Sequence, residues 1–271
     1  MKFRNAVITG GSSGIGKALA KLLVKEGLNV VILARNAQRL EEARREIEAA
    51  RLNKEQIIET FPVDVSNYSA MESIMKTLTE RGRPPELLIN SAGVVYADYF
   101  EKIPTEEFKR VMEIDYFGTL NAIRAALPSM LSRGGGHIVN LSSAAGYVGV
   151  FGYGAYTPTK FAVTGLSEVL RQELKPYGIL VSIVCPPDTK TPQLEEELKM
   201  RPQETSAINA GASVMEAEEV AKIILKGIHA KKYLILPGLM NKITYLLNKT
   251  PIVRWICDMT VASVQKKRRS T

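Results

Sequence analysis

Only two cysteines, Cys185 and Cys257, occur in 271 residues, and two thiols close one bridge at most, so no disulfide framework can hold this chain together. They lack metal-ligand spacing, and the only histidines, His137 and His229, carry no partner pattern that suggests a metal centre or histidine catalysis. No metal is expected. Long apolar runs are missing too. From Leu234 to Val264 the chain is rich in Leu, Ile and Val, but Lys242, Lys249, Arg254 and Asp258 keep every stretch short of the roughly 20 residues of a membrane span. A secretory leader is not evident, because Met1-Lys-Phe-Arg-Asn5 passes at once into an apolar run. Together with so few thiols, for which a reducing compartment is the simpler reading, this sets the expectation of an intracellular, cytoplasmic protein.

Most of the chain also lacks an excess of either charge. Residues 1–230 hold 27 basic and 27 acidic side chains, whereas residues 231–271 hold nine basic residues against one acid, Asp258, so the net charge of +8 lies wholly in the tail. A neutral body with a basic, apolar tail fits a membrane surface better than nucleic acid, and no nucleic-acid partner is expected. What is present, 45% hydrophobic and 24% charged residues with 20 glycines, is the composition of an ordinary globular domain.

Short apolar runs alternate with helical spacing. Ala6-Val-Ile-Thr9 ends in glycines, Ala18, Leu19, Leu22 and Leu23 fall at helical intervals, and Val30-Val-Ile-Leu33 follows. The same pattern predicts a charged helix over residues 38–51, strands at 61–63, 87–90, 137–141 and 180–184, and helices between them. Strands apolar throughout are buried on both faces, as in a parallel sheet covered by helices. The expected fold is therefore α/β, a Rossmann-type doubly wound parallel sheet with helices on both faces, followed by a C-terminal helical, amphipathic tail. The domain boundary is placed between a catalytic unit, 1–232, and the tail, 233–271. Residues 186–215, with four prolines, read either as a lid over the site or as an ordinary surface loop.

Thr9-Gly-Gly-Ser-Ser-Gly-Ile-Gly16 joins the first strand to the first helix. Gly10 and Gly14 allow a tight turn and close approach to a pyrophosphate, Gly16 allows the helix to pack on the sheet, and Ser12, Ser13 and Ile15 complete the turn into a helix N-terminus that favours an anion. The second strand ends in Leu33-Ala-Arg35, without the acid that holds a ribose 2′-hydroxyl in NAD-binding proteins. Arg35, helped by Arg39, offers positive charge to a 2′-phosphate, so NADPH/NADP+ is the expected cofactor. The alternative is that Arg35 is only a solvated loop residue.

Tyr156-Thr-Pro-Thr-Lys160 puts a phenol and an ammonium on one helical face. A free phenol, with a pKa of about 10, exchanges protons poorly near neutrality unless a cation such as Lys160 favours the phenolate. Ser143, just after a strand, can hydrogen-bond the same carbonyl oxygen. On these residues the chain, from Asn5 to Pro192, resembles the short-chain dehydrogenase/reductases with TGxxxGxG and YxxxK motifs. The resemblance implies that Tyr156 donates a proton, that Lys160 lowers its pKa and holds the nicotinamide ribose, and that Ser143 orients the substrate. It also implies cofactor contacts from Asp64 and Val65, from Asn90, Ala92 and Gly93 in Asn90-Ser-Ala-Gly93, and from Pro186 and Thr189, and it implies a homo-oligomer. One position departs: Ile114-Asp115-Tyr-Phe-Gly118 carries Asp115 where many members have an asparagine that organises a proton relay. Asp115 either serves that relay, beside Lys160, or only props its helix.

Cys185-Pro-Pro-Asp-Thr-Lys-Thr-Pro192, with Gly11-Ser-Ser-Gly14, Ala34-Arg-Asn36 and Phe151-Gly-Tyr-Gly-Ala-Tyr156, further resembles the 3-ketodihydrosphingosine reductases of sphingolipid synthesis. This implies NADPH-driven reduction of a lipid-like amino ketone. Another apolar carbonyl, such as a steroid, retinoid or acyl ketone, and a non-catalytic NADP(H) sensor are the alternatives. Val94, Val95, Tyr96, Tyr99, Phe100, Tyr147, Val148, Val150 and Phe151 either line an acyl channel or are core or dimer contacts, and Asp188 faces a substrate ammonium or serves its own loop. In the tail, Leu239, Met240, Ile243, Leu246 and Leu247 fall at helical spacing before Pro251, and a segment around Trp255 leads to Lys266-Lys-Arg-Arg269. The tail either lies on an anionic membrane surface or packs on the body.

Overall fold

Apolar residues at alternate positions of each strand feed two separate cores. Ala6 and Ile8 face one side and Val7 the other, as period-two geometry requires. In this computed structural model, which describes residues 3–210 and 214–269, β1 (Asn5–Thr9), α1 (Gly14–Lys25), β2 (Asn29–Ala34), α2 (Ala37–Glu48), β3 (Ile58–Pro62), α3 (Tyr68–Glu80) and β4 (Leu87–Asn90) alternate. Then come α4 (Thr105–Met112), α5 (Gly118–Arg133), β5 (Gly136–Leu141), α6 (Thr157–Leu174) and β6 (Ile179–Val184). After these the chain forms β7 (Thr189–Lys190), α7 (Pro192–Leu198), α8 (Gln203–Asn209), β8 (Met215–Glu216), α9 (Ala217–His229), β9 (Leu234–Ile235), α10 (Leu239–Leu247) and α11 (Ile252–Arg269). Residues 211–213 of the 186–215 segment and the side chains of Arg268 and Arg269 lie outside the described residues, as does Met1-Lys2.

The sheet runs β3-β2-β1-β4-β5-β6-β9 with every pair parallel. On one face Leu19 and Leu23 of α1 and Val220 and Ile224 of α9 pack on Ile8, Ile32 and Ile89. On the other, Met71 and Met75 of α3 and Ile123 and Met130 of α5 cover Val7, Val31, Leu88 and Ile138. Each such fully buried side chain contributes about 1.5–3 kcal/mol, so both faces are needed to hold the strands that carry the site. Polar side chains set the helix starts: Asn36 Oδ1 accepts from Arg39 N at 2.9 Å, and Asn67 Oδ1 from Ala70 N at 3.0 Å.

Two expected elements move. The strand expected at 61–63 is Ile58–Pro62, an edge strand whose residues are only partly covered; Glu59 and Thr60 interrupt the apolar run that would have revealed it. The charged helix expected to reach residue 51 ends at Glu48. A further strand, Leu234–Ile235, lies inside the segment assigned to the tail and pairs with β6 through Ile183↔Leu234 and Val184↔Ile235. It is two residues long, too short for any periodicity to show. Among the described residues no helix is long and apolar enough to cross a membrane.

Candidate active site

The strand order reverses between β1 and β4, and in open parallel sheets the crevice outside the strand ends at that reversal receives the ligand. A cavity of about 620 Å3 opens there. One half is a backbone cradle. Gly10, at φ +67, comes so near the chain after β4 that a Cβ would sit 2.7 Å from Ala92 N, while on Gly16 it would sit 2.4 Å from the Gly10 carbonyl oxygen. Thr9 Oγ1 ties the two strand ends together by accepting from Ser91 N at 3.1 Å and Ala92 N at 3.2 Å. Ser13 occupies the N-cap of α1 without a side-chain capping bond, so at the cavity that Ser13, Gly14 and Ile15 line the first amides of that helix have no capping hydroxyl as partner.

Gly10, Ser12, Ser13, Gly14, Ile15, Arg35, Arg39, Asp64, Val65, Ala92, Gly93, Pro186 and Thr189 all line this cavity. Gly16 is the packing contact just described, behind the cradle. Asn90 is buried behind it too, donating to Asn140 Oδ1 at 2.8 Å, while Asn140 donates to Ser167 Oγ at 2.9 Å, so a chain of amides locks β4 to β5 and α6. A dinucleotide fits this site: a glycine turn that runs close against the chain after β4, a helix N-terminus beside it, and Arg35 and Arg39 beyond the second strand.

The other half gathers Ser143, Tyr156 and Lys160, which all line the same cavity. Ser143 follows β5 directly, and its Oγ accepts from Ala145 N at 3.1 Å. Tyr156 and Lys160 stand one turn apart at the start of α6, with Lys160 Nζ 5.4 Å from the Tyr156 ring centre. Burial pushes the Tyr156 phenol up to about 12; the Lys160 ammonium opposes this, the Asp115 carboxylate adds to it, and the Ser143 hydroxyl lowers it. Burial is the largest influence on Lys160 and would lower it, but Asp115, Tyr156 and Cys185 together outweigh it and Lys160 titrates above its ordinary value.

Asp115 does not line the cavity; it sits behind Lys160, fully buried, with Oδ2 3.0 Å from Nζ and Oδ1 accepting from Val94 N at 2.8 Å. Burial raises its carboxyl, against the pull of Lys160 and of the Val94 amide. The backbone around it, Glu113–Phe117, is a π-helical turn between α4 and α5. Such a one-residue insertion re-aims a side chain within a helix and recurs at functional sites. Nothing in the sequence announces it.

A buried polar cluster that sequence reasoning missed faces Tyr156. Tyr153 stacks edge-on against it, with centroids 5.5 Å apart, and the Tyr153 hydroxyl donates to Glu197 Oε1. Arg201 donates to the same oxygen through Nε at 2.8 Å and to Asp188 Oδ2 through Nη1 at 2.8 Å. Apart from Asp188, already considered for a substrate ammonium, the sequence signal was a Glu197–Arg201 pair four residues apart, which ordinarily marks a solvated face. Of the apolar residues considered for a channel, Val94, Val95 and Val150 line the main cavity. Phe151 lines a second cavity, shared with Val150 and Tyr153 and walled by Cys257, Val261 and Ala262 of α11. Tyr99 stacks edge-on against Phe151, Phe100 is exposed, and Tyr147 is held by the tail, its hydroxyl donating to Asn241 Oδ1 of α10.

A family model described as short chain dehydrogenase matches residues 4–202. A zebrafish (Danio rerio) protein named 3-dehydrosphinganine reductase is 42% identical over 223 residues, 82% of this chain and 67% of its own. An Arabidopsis thaliana protein of the same name is 44% identical over 238 residues, 87% of this chain and 70% of its own. Among solved structures, a short chain dehydrogenase/reductase from Burkholderia phymatum in complex with NAD superimposes with a TM-score of 0.81 at 24% identity, covering 92% of this chain and 94% of its own, and so shares the fold. With the glycine cradle and the Ser143, Tyr156 and Lys160 set in one crevice, the chain belongs to the short-chain dehydrogenase family.

Proposed function

We propose that this protein reduces the 3-keto group of 3-ketodihydrosphingosine to dihydrosphingosine, with NADPH as cofactor. The observation that carries the reading is the convergence of Ser143, Tyr156 and Lys160 on the cavity that also holds the glycine cradle, in a chain whose relatives bear that reductase name. The Ser143 and Tyr156 hydroxyls hold the carbonyl oxygen and polarise it. Bound nicotinamide supplies a hydride to the carbonyl carbon. As negative charge develops on the oxygen, Tyr156 gives up its proton, and the Lys160 ammonium stabilises the phenolate left behind. The test is loss of NADPH absorbance with 3-ketodihydrosphingosine, a steroid ketone and a short β-keto ester. Rapid loss with the sphingoid ketone alone is expected; loss only with another ketone discards the lipid assignment.

The preference for NADPH rests on Ala34, Arg35 and Arg39 at the cavity edge, with no acid at the end of β2. Arg35→Asp removes one charge-assisted contact to a 2′-phosphate, so the kcat/KM ratio of NADPH over NADH is expected to fall by about 10- to 100-fold. An unchanged ratio removes Arg35 from cofactor selection. Within the expected lid, α7 and α8, which carry Glu197 and Asn209 into the cavity wall, cover the substrate half in this reading.

The tail supports attachment to an anionic membrane surface. Two asparagines hold α10 to the body: Asn241 Nδ2 donates to the Cys185 carbonyl at 2.6 Å, and Asn248 Nδ2, just past the helix end, to that of Tyr147. Several apolar side chains face out, with Leu239 73% and Leu246 71% exposed, continued on α11 by Trp255 at 63% and Met259 at 56%. Lys242, Lys249 and Arg254 stand among them. An outward apolar surface of this kind marks an interaction face, and the basic residues select anionic lipid. Leu246→Glu with Trp255→Glu is expected to abolish flotation with phosphatidylserine vesicles, since each apolar side chain withdrawn forfeits about 1.5–3 kcal/mol. Equal flotation of both forms counts against this face.

A further inference from the structure

We propose that Asp188 and Glu197, held by Arg201, form an ammonium-binding subsite that recognises the amino group next to the ketone being reduced. The inference rests on the substrate reading above and adds the group that would select an amino ketone over a plain one. Both carboxylates line the cavity that contains Tyr156, and Tyr153 and Asn209 stand with them. Glu197 is 7% exposed and the Arg201 side chain 3%.

The cluster is one cation short. Two carboxylates share a single guanidinium, whose bonds all go to one oxygen of each: Arg201 reaches Glu197 Oε1 at 2.8 and 2.5 Å and Asp188 Oδ2 at 2.8 Å. Tyr153 adds its hydroxyl to the same Glu197 oxygen, and Asn209 lies 3.5 Å from the same Asp188 oxygen. Among the described residues neither Glu197 Oε2 nor Asp188 Oδ1 receives a hydrogen bond from a protein group, and both carboxylates line the cavity. The Asp188 side chain is 21% exposed, but for a carboxylate as covered as Glu197 a donor or cation at the second oxygen offsets part of the cost of burial. An alkylammonium has three donors and one charge, which matches two unused oxygens and one unbalanced negative charge. Burial raises the Glu197 carboxyl even against Tyr153 and Arg201, a penalty that an arriving cation offsets.

The position also agrees. Tyr153 joins Glu197 through its hydroxyl and stacks on the catalytic Tyr156, so the subsite lies one aromatic ring away from the hydroxyl that holds the carbonyl oxygen. In 3-ketodihydrosphingosine the amino group is on the carbon next to the carbonyl, so a substrate held at Tyr156 projects its ammonium into the same part of the cavity.

The experiment compares kcat/KM for 3-ketodihydrosphingosine and for its analogue lacking the amino group, in the wild type, Glu197→Gln and Asp188→Asn. The wild type is expected to favour the amino ketone, and each variant to lower that preference about 10- to 100-fold, the value of one charge-assisted hydrogen bond. A brace that only stiffens the 186–215 segment would lower both substrates together and leave the ratio unchanged, which overturns the subsite. Equal use of both ketones by the wild type overturns it as well while ketone reduction stands; turnover of neither, with a steroid ketone reduced, overturns the substrate reading and the subsite together. Because Glu197→Gln can unfold the segment, a wild-type measurement stands beside it: dodecylamine is expected to inhibit at a concentration at least about tenfold lower than dodecanol does, and equal inhibition overturns the proposal.

Discussion

Tyr156→Phe is expected to lower kcat for ketone reduction by about 10³-fold, within the range that a positioned general acid supplies, while NADPH affinity and folding stay near wild type. The ring keeps its place in the variant, because its packing is aromatic: edge-on to Tyr153 at 5.5 Å and 5.4 Å from Lys160 Nζ. Only the hydroxyl is lost. Burial pushes that hydroxyl up to about 12, so at neutral pH it still holds the proton it must give away. Lys160 keeps the price of giving it away within reach, since a buried phenolate without a cation would be far less stable. Single-turnover loss of NADPH absorbance, with a fluorescence titration for NADPH binding, checks both halves. Activity within tenfold of wild type would remove Tyr156 as the proton donor.

Much of this site was legible because its parts are local. The Thr9 to Gly16 turn encodes its own backbone path, and Tyr156 and Lys160 need only one helical turn to meet. Strands β1, β2, β4, β5 and β6 were visible because apolar runs buried on both faces leave an unbroken signature. β3 was misplaced because an edge strand tolerates Glu59, which pairs with Arg83 at 3.0 Å. The Leu234–Ile235 strand shows no pattern because it completes the sheet with two residues.

What stayed hidden depends on contacts distant in sequence. Asp115 reads as a departure from a family pattern, but its place behind Lys160 follows from a π-turn that no side-chain pattern encodes. Glu197 and Arg201 look like a surface pair until Tyr153, 44 residues away, is found to donate into them. The tail leaves two readings open, a membrane surface or packing on the body, and its helical spacing does not say which way the apolar face turns. Asn241 and Asn248 hold the helix to the body while Leu239 and Leu246 point out. Hydrogen bonds to backbone carbonyls of the body decide which face turns inward, and those carbonyls appear in no sequence pattern.

Asp115→Asn is expected to move the alkaline loss of reductase activity toward lower pH by about one unit or more, and to cost about 3 kcal/mol of stability. The active form for reduction carries two protons, one on the Tyr156 hydroxyl and one on the Lys160 amine. Asp115 helps to hold both: its negative charge raises the Lys160 pKa and the Tyr156 pKa alike. Replacing the carboxylate with a neutral amide leaves Lys160 buried without its 3.0 Å counter-ion, so burial lowers its pKa. Tyr156, relieved of the same charge, also releases its proton earlier while Lys160 is charged. Both changes push in one direction, and because the groups are coupled the shift belongs to the pair. Asparagine can still accept from Val94 N, which separates this charge effect from loss of the backbone tie at 2.8 Å. Profiles of kcat/KM from pH 6 to 10, with calorimetric Tm, are the measurement. Superimposable profiles with a lowered Tm would reduce Asp115 to a brace for its helix, whereas an acidward shift makes its charge the reason the Tyr156 and Lys160 protons stay in place.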